Sequence, residues 1–328
     1  MKQFTSLQLK LLHFLSDGQC HQKTQLARQF GISHTAVAEN IRQLLELGLS
    51  IKNLPQQGYQ LFQPFKPLDE QLIRQHLVGQ PSKLINFHLF AELGSTNQYL
   101  KELTPNSAVD ICCAEKQTQG RGRFGRRWIS PFGENIYFSY RWGLGSSLSS
   151  LSGLSLIVSL AIMACLKKSN IYQDLRIKWP NDILWKNKKL CGILIELSTE
   201  SRDSAQVIIG IGLNVNTATH EQPITDVPWC SLFEISGQQM DRNKIIANLI
   251  NKLDLYLEKF LHGNFASFRE EWRRFDYLEG QFIKIVQANN YLSGQACGVD
   301  EQGRLCLQDK EGKIHYLSSG ETSLSLKN

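Results

Sequence analysis

The first sixty residues have the apolar spacing of three short helices followed by two strands. Apolar side chains between positions 7 and 15 fall on one helical face, and Asp17-Gly18 ends that helix. A second helix is predicted over 22–30, and a third is capped by Ser33 and ends at Gly48. Two extended runs within 51–61 surround a turn and form a hairpin. This order of elements is typical of a winged helix-turn-helix.

A mixed pattern of helices and strands follows a short stretch with two prolines at 63–67, which predicts a linker and a domain boundary near residue 65. Helices are predicted at 69–77 and 97–103, a buried helix at 148–167, and an amphipathic helix from 245 to 261. Between them lie the apolar runs of an α/β domain with a mixed sheet: Val109–Ala114, Asn135–Trp142, Arg176–Trp179, Ile183–Trp185, Lys189–Leu197 and Val207–Asn214.

The last fifty residues consist of short alternating runs that are separated by glycine-containing turns. Such a pattern indicates a small antiparallel β-barrel, with strands predicted at Phe282–Val286, Leu292–Val299, Leu305–Asp309 and Ile314–Leu317. We therefore expect three domains, at residues 1–64, 65–274 and 275–328.

Composition narrows the class of protein without identifying it. With 328 residues, 42% hydrophobic and 20% charged, the chain is neither disordered nor fibrous, and its net charge of +6 permits an anionic ligand or nucleic acid. The 8 cysteines form no CxxC pair, which indicates reduced thiols in a cytoplasmic protein. The most apolar stretch, 154–166, is too short to cross a bilayer, and no secretory signal is apparent.

The segment GRGRFGRRW, from Gly120 to Trp128, has the highest concentration of glycine and arginine in the chain. It contains a formal GxGxxG, but a turn and a strand follow it where a dinucleotide fold needs a helix, and no Walker loop is present. A glycine- and arginine-rich loop can enclose a phosphate or carboxylate with backbone N–H groups and guanidinium forks. We expect this loop to be mobile until an anion arrives. A solvated basic loop and an RNA-binding segment are the alternatives.

Further polar residues stand at strand ends, where ligand sites of α/β folds tend to lie. KWPND ends a strand and presents Asn181 together with Asp182, a candidate Mg²⁺ ligand; the alternative for this segment is an ordinary turn. Lys189 opens a later apolar strand and Gly192 permits close approach of a ligand, although a lysine there is also typical of a solvated strand edge. Trp229 follows a polar stretch and is a candidate for stacking on a ring.

The motifs GRGRFGRRW, KWPNDI, KLCGILIE and GIGLNVN, in that order behind an STN, closely resemble the signatures of the bifunctional biotin protein ligase and biotin operon repressor family. The resemblance implies a class II synthetase-like biotin/lipoate ligase domain between the winged helix-turn-helix and an SH3-like barrel. It also implies two reaction steps. ATP and biotin form biotinoyl-5'-AMP, and a lysine of the biotin carboxyl carrier protein of acetyl-CoA carboxylase then takes the biotin.

The same resemblance assigns roles to individual residues of this sequence. The catalytic residues it implies are Lys189, Arg121 and Arg123, the last limiting escape of the adenylate. The biotin ligands it implies are Ser95, Thr96, Asn97, Gln117, Gly120, Arg121 and Lys189. The ATP and adenylate ligands it implies are Arg123, Asn181, Gly192, Asn214 and Trp229. Asp182 is the carboxylate expected on the side of the Mg²⁺ that accompanies ATP.

Two residues depart from the family pattern. Phe124 stands where a basic residue is common, and Cys191 stands where a smaller alanine is common. Since other arginines remain in the loop, we expect altered loop ordering and retained ligase activity.

For the repressor half, the resemblance implies a homodimer that biotinoyl-AMP promotes and that binds operator DNA. Residues 1–62 carry six Lys and Arg against three Asp and Glu, a net charge of +3, so phosphate contacts should be few. The residues predicted to approach DNA are Ser33, His34, Thr35, Asn40, Arg42, Gln56 and Gln57. Three alternatives stay open: a lipoate-type ligase, a ligase without repressor activity, and a non-catalytic biotin-sensing DNA-binding regulator.

Overall fold

The N-terminal part of the chain contains three helices and a hairpin. The computed structural model describes residues 1–55, 57–62, 65–78, 84–104, 108–143, 153–167, 172–201, 204–218, 227–287, 290–318 and 320–324. Within them, the predicted N-terminal elements are confirmed: α1 (Ser6–Leu15), α2 (Lys23–Phe30), α3 (His34–Glu46), β1 (Ile51–Leu54) and β2 (Gly58–Leu61).

Local capping explains where these helices begin and end. Thr5 and Gln8 form a capping box at the start of α1, and Gly31 ends α2 in the left-handed conformation at φ 63°. The Ser33 hydroxyl accepts a hydrogen bond from the Ala36 N–H at 3.1 Å, as an N-cap residue does. The apolar faces of the three helices and the hairpin meet in one hydrophobic cluster, which also takes in Phe65.

A seven-stranded mixed sheet forms the centre of the molecule. Its order is β3-β4-β5-β9-β8-β7-β6, with β3 and β4 parallel and the other neighbours antiparallel. The pattern analysis missed β3, because Asn86 and His88 interrupt its apolar run. The strands are β3 (Ile85–Phe90), β4 (Val109–Ala114), β5 (Ile136–Gly143), β6 (Leu175–Lys178), β7 (Asp182–Trp185), β8 (Lys188–Ser201) and β9 (Ser204–Leu213).

The two faces of this sheet are covered differently. One face packs against the predicted buried and amphipathic helices, α6 (Leu154–Leu166) and α8 (Arg242–Gly263), and forms the main core. The other face carries α5 (Thr96–Glu102), whose Leu100 joins a smaller apolar cluster with Cys112 and Ile208. Residues 63–64 of the predicted linker and 148–152 of the predicted buried helix lie outside the described residues. The remaining α-helices of the described residues are α4 (Glu70–Gln75), α7 (Leu232–Ser236) and α9 (Arg269–Arg273), and short 3-10 helices lie at Arg123–Gly125, Tyr172–Asp174 and Phe265–Phe268.

The C-terminal part is a five-stranded antiparallel sheet in the order β13-β12-β11-β10-β14. The predicted four strands are present, and a fifth completes the sheet; closure of the sheet into a barrel stays a prediction. The buried side chains of this sheet, such as Ile283 and Leu305, belong to the same hydrophobic cluster as the central core. The strands are β10 (Phe282–Gln287), β11 (Asn290–Val299), β12 (Leu305–Gln308), β13 (Ile314–Leu317) and β14 (Glu321–Leu324). In the described part of the chain, no helix has the length and apolar character that spanning a membrane requires.

Candidate active site

A cleft of about 870 Å³ opens beside the ends of strands β7, β8 and β9. Its walls contain every residue that the sequence predicts for biotin, ATP or Mg²⁺ except Gly120. Gly120 is buried at the base of the loop, where a Cβ would lie 2.7 Å from the Trp128 carbonyl oxygen. The predicted residues that line the cleft are Ser95, Thr96, Asn97, Gln117, Arg121, Arg123, Asn181, Asp182, Lys189, Gly192, Asn214 and Trp229.

One end of the cleft is lined by a cluster of buried, hydrogen-bonded side chains at the start of α5. The Thr96 N–H and hydroxyl approach the Gln117 Oε1 at 2.9 and 3.1 Å. Behind them, the hydroxyl of Ser139 on β5 lies 2.7 Å from Thr96 Oγ1 and 2.6 Å from Asn97 Oδ1. Ser95 caps the helix by accepting from the Gln98 N–H at 3.4 Å. The sequence analysis missed Ser139, although it is a polar residue within an apolar strand.

Asn97 is fixed between two strands of the sheet. Its Nδ2 donates to Glu196 Oε2 at 2.8 Å, and its Oδ1 would lie 2.3 Å from a Cβ placed on Gly210. The glycine is therefore required for this close approach of side chain to backbone. Glu196 is a second residue that the sequence analysis missed. It follows an apolar strand run, and because its partner Asn97 lies on α5, far away in the sequence, no local signal marks the contact.

The arginine-rich loop forms a small hairpin along the rim of the cleft. The Gly122 N–H donates to the Arg126 carbonyl at 2.7 Å, and the Trp128 N–H donates to the Gly120 carbonyl at 2.9 Å. Phe124, at the tip, is 68% exposed and has a left-handed φ of 55°. Its side chain thus points away from the core, and the expected effect of this departure on loop ordering stays a prediction.

Two arginines of this loop reach across the cleft. Arg121 Nη2 donates to Gln98 Oε1 at 3.1 Å and lies 3.7 Å from Glu196 Oε1. Arg123 Nη1 donates to Asn181 Oδ1 at 3.2 Å, which joins the loop to the KWPND segment. The two ends of the cleft are therefore connected through the same loop.

The ring of Trp128 lies against the glycine-containing floor of the cleft. A Cβ on Gly212 would be 2.5 Å from its Cε2, and one on Gly192 would be 2.9 Å from its Cζ3. Its buried Nε1 has no hydrogen-bond partner within the described residues. Trp128 ends the loop motif in the sequence, but no role was predicted for it. The signal was present in the two glycines at matching positions of β8 and β9.

Lys189 and Asp182 form an ion pair near the centre of the cleft, with Nζ and Oδ1 2.7 Å apart. Each side chain is 24% exposed, so a ligand can reach the pair. The backbone around Lys189 is held separately: its N–H donates to the Pro228 carbonyl at 2.8 Å, and its carbonyl accepts from the Cys230 N–H at 3.0 Å. These bonds place the backbone of Trp229 beside that of Lys189.

Asn214 and Cys191 support this region from behind. Asn214 Nδ2 donates to the carbonyls of Cys230 at 3.1 Å and Lys189 at 3.4 Å, so its amide holds the backbone that carries the lysine. Its predicted contact with an adenylate stays a prediction. Cys191 is fully buried, and burial raises the pKa of its thiol well above the ordinary value. This departure from the family pattern therefore affects packing under the site.

The described residues contain no group of three or more His, Cys, Asp and Glu that could hold a metal ion. Asp182 therefore offers a single carboxylate, of which one oxygen faces Lys189. Such a site suits a cation whose other ligands are phosphate oxygens and water.

The residues predicted for DNA binding have unequal access to solvent. His34, Thr35 and Gln57 are exposed, while Gln56 lies outside the described residues. Ser33 serves as the N-cap of α3, and Asn40 Nδ2 donates to the Ala36 carbonyl at 2.8 Å. Each of these two side chains already has a partner within the helix.

Arg42 lies between two carboxylates on the exposed face of α3. Its Nη2 is 2.6 Å from Glu39 Oε1, and its Nη1 contacts Glu46. The hydrogen bond from Arg42 lowers the pKa of Glu39 to about 2, so that carboxylate is charged at neutral pH. A DNA phosphate would therefore have to compete with both glutamates for this arginine.

Comparison with known proteins supplies independent findings. The Biotin/lipoate A/B protein ligase family model matches residues 89–214, and the model of the biotin protein ligase C-terminal domain matches 280–325. The bifunctional ligase/repressor BirA of Salmonella typhimurium is 34% identical over 321 residues, which is 98% of each chain. The biotin–[acetyl-CoA-carboxylase] ligase of Mycobacterium tuberculosis is 30% identical over 78% of this chain and 95% of its own.

A solved structure resembles the same part of the molecule. The biotin protein ligase from Aquifex aeolicus in complex with biotin and ATP superposes with a TM-score of 0.63 and 29% identity. The similarity covers 75% of this chain and all of that one.

Proposed function

The chain belongs to the biotin protein ligase family, and we propose that it activates biotin with ATP and transfers it to a lysine of a carrier protein. The first step forms biotinoyl-5'-AMP and pyrophosphate. In the second step, the lysine ε-amine attacks the mixed anhydride, an amide bond forms and AMP leaves. We further propose that residues 65–274 and 275–328 act together in this reaction, while residues 1–64 form a separate winged helix-turn-helix.

The observation that supports this proposal is the meeting of Lys189, Arg121 and the Thr96–Gln117 pair in one cleft. The buried hydrogen-bonding groups suit the ureido ring of biotin, and the arginine and lysine suit its carboxylate and the α-phosphate. Holding two anions together in one orientation removes much of the entropic barrier to their reaction. The Lys189 ammonium then stabilises the negative charge that develops at the α-phosphate.

The loop supplies the other requirement, which is exclusion of water from the anhydride. The Arg123–Asn181 bond at 3.2 Å already bridges the cleft, so ordering of this loop over the adenylate would slow its hydrolysis and escape. We propose that Trp229 stacks on the adenine and that Asn181 and Asn214 lie beside the nucleotide. Mg²⁺, bound through the ATP phosphates with Asp182 at its side, would supply charge neutralisation to the first step.

Pyrophosphate release with purified full-length protein tests the ligase proposal. We expect release that requires ATP and biotin together, followed by a stable mass increase on a biotin carboxyl carrier protein. Release with lipoate in place of biotin would indicate a lipoate-type ligase. Absence of release with either acid, in a protein that still binds biotin, would refute catalysis and favour a sensing role.

We also propose that the protein represses transcription as a homodimer when biotinoyl-AMP is bound. The supporting observation is the exposure of His34 and Thr35 at the start of α3, with the hairpin residue Gln57 also exposed. Sedimentation velocity with labelled DNA from a biotin operon control region tests this. We expect dimerisation and a DNA complex only when biotin and ATP are added. Pyrophosphate release without a DNA complex would leave a ligase without repressor activity.

A further inference from the structure

Strand β5 carries two kinds of side chain on its two faces. Ile136, Phe138 and Tyr140 belong to the main hydrophobic core beneath α6 and α8. The alternate residues Ser139 and Arg141 point to the opposite face, where α5 lies, because successive strand residues face opposite sides of a sheet. Polar side chains on that face contact α5 at two points.

Ser139 makes the first of these contacts at the beginning of the helix, where it bonds Thr96 and Asn97. Arg141 makes the second at the other end. Its Nη1 donates to the carbonyls of Leu103 at 2.6 Å and Leu100 at 3.2 Å, and its Nη2 donates to the Thr104 carbonyl at 3.2 Å. One guanidinium thus satisfies carbonyl groups that the last turn of a helix leaves without intrahelical partners.

The guanidinium is itself fixed by a buried charge. Arg141 is 4% exposed, and its Nη2 contacts the carboxylate of Asp110 on β4, which is 0% exposed. Asp110 also accepts from His88 Nε2 and Asn86 Nδ2, each at 3.1 Å. A buried arginine whose donors are shared among a carboxylate and three carbonyls has little freedom to move.

We propose that Arg141 is a positioning residue for the ligase reaction: it fixes the end of α5 so that Thr96 and Asn97, at the beginning of the same helix, keep the geometry of the biotin site. The inference rests on the proposed function. Because α5 has only seven residues, it is too short to be stable by itself, and its place depends on its contacts. Loss of the anchor would shift the beginning of the helix against Gln117, whereas Lys189 and Asp182, which lie on β8 and β7, would keep their places.

The test is steady-state pyrophosphate release by the full-length protein, with biotin and ATP titrated separately. For Arg141→Met we expect the KM for biotin to rise about 10-fold, which corresponds to the free-energy cost of losing one buried hydrogen bond. We expect kcat and the KM for ATP to stay within about 3-fold of the wild-type values. Arg141→Lys keeps a charge opposite Asp110 but cannot reach every carbonyl, so an intermediate KM for biotin is expected.

Two further variants separate positioning from stability. Asp110→Asn/Arg141→Met removes both buried charges and should fold where the single variant leaves Asp110 unpaired; its KM for biotin should still rise. Tyr140→Phe is the matched control on the opposite face of β5, because it removes only the 2.6 Å bond to Asp254 and should leave the KM for biotin unchanged. Thermal unfolding of each variant reports the change in stability.

The outcomes distinguish the inference from its premise. An unchanged KM for biotin in the folded double variant and in Arg141→Lys would overturn the positioning role, as would a parallel loss in both KM values and kcat. A wild-type protein without biotin-dependent pyrophosphate release would refute the proposed function itself.

Discussion

Replacement of Lys189 by alanine is the sharpest test of the chemistry. The Lys189 side chain is a quarter exposed, so an effective dielectric constant of about 20 applies, and its interaction with a unit charge about 4 Å away is then worth about 4 kcal/mol. Only part of a charge develops in the transition state, and removal of a comparable donor from other active sites costs about 10²- to 10³-fold in rate. We expect Lys189→Ala to slow pyrophosphate release at least about 100-fold, or about 2.7 kcal/mol.

The fold should survive this substitution. Alanine retains the two backbone hydrogen bonds of Lys189 and loses the side-chain contacts with Asp182 and the Trp128 ring. Asp182 loses its ion-pair partner, and thermal unfolding measures the cost of that loss.

The assay is single-turnover pyrophosphate release at saturating biotin and ATP, accompanied by thermal unfolding. Lys188→Ala is the matched control, because that lysine is adjacent in β8 and exposed, and its rate should equal that of wild type. If Lys189→Ala stays within about 10-fold of the wild-type rate while remaining folded, the charge stabilisation assigned to this lysine is refuted.

Three further predictions follow from other parts of the molecule. Gly210→Ala should raise the KM for biotin about 10-fold, since the added Cβ would displace the Asn97 side chain. An unchanged KM for biotin in the pyrophosphate assay would show that this asparagine is dispensable for biotin binding. Arg42→Ala should reduce the salt dependence of operator binding by about one phosphate contact, and Glu39→Gln should strengthen operator binding. Fluorescence anisotropy at several salt concentrations measures both effects. Equal operator affinities of Arg42→Ala and wild type would exclude this arginine from the interface. Burial alone would raise the pKa of Asp110, but hydrogen bonds hold that pKa below its usual range. The stability that the charged carboxylate contributes is therefore present above about pH 4 and is lost as the pH falls through the depressed pKa. The difference in unfolding free energy between wild type and Asp110→Asn should shrink over that acidic range, and a difference independent of pH would contradict this prediction.

Local sequence signals were sufficient for most of the secondary structure, and the resemblance to a known family supplied the candidate ligands. Capping residues and apolar periodicity act within a few positions, which is why the boundaries of α1, α3 and β4 agree closely with the prediction. Motifs at strand ends predicted residues that line one cleft, since strand ends of one sheet lie near each other. The short strand β3 was missed because its polar residues serve a network on the sheet face and disturb the apolar pattern.

The supporting contacts of the site depended on tertiary structure alone. Ser139 reaches Thr96 and Asn97 from more than forty positions away, and Glu196 reaches Asn97 from β8. Arg141 reaches the end of α5 in the same way. A period of two or of 3.6 residues tells which face of an element a side chain occupies, but the partner on that face is decided by the order of strands in the sheet. The sequence by itself determined the candidate residues that line the cleft, and only the strand order β4-β5-β9-β8 decided which buried polar groups hold them in place.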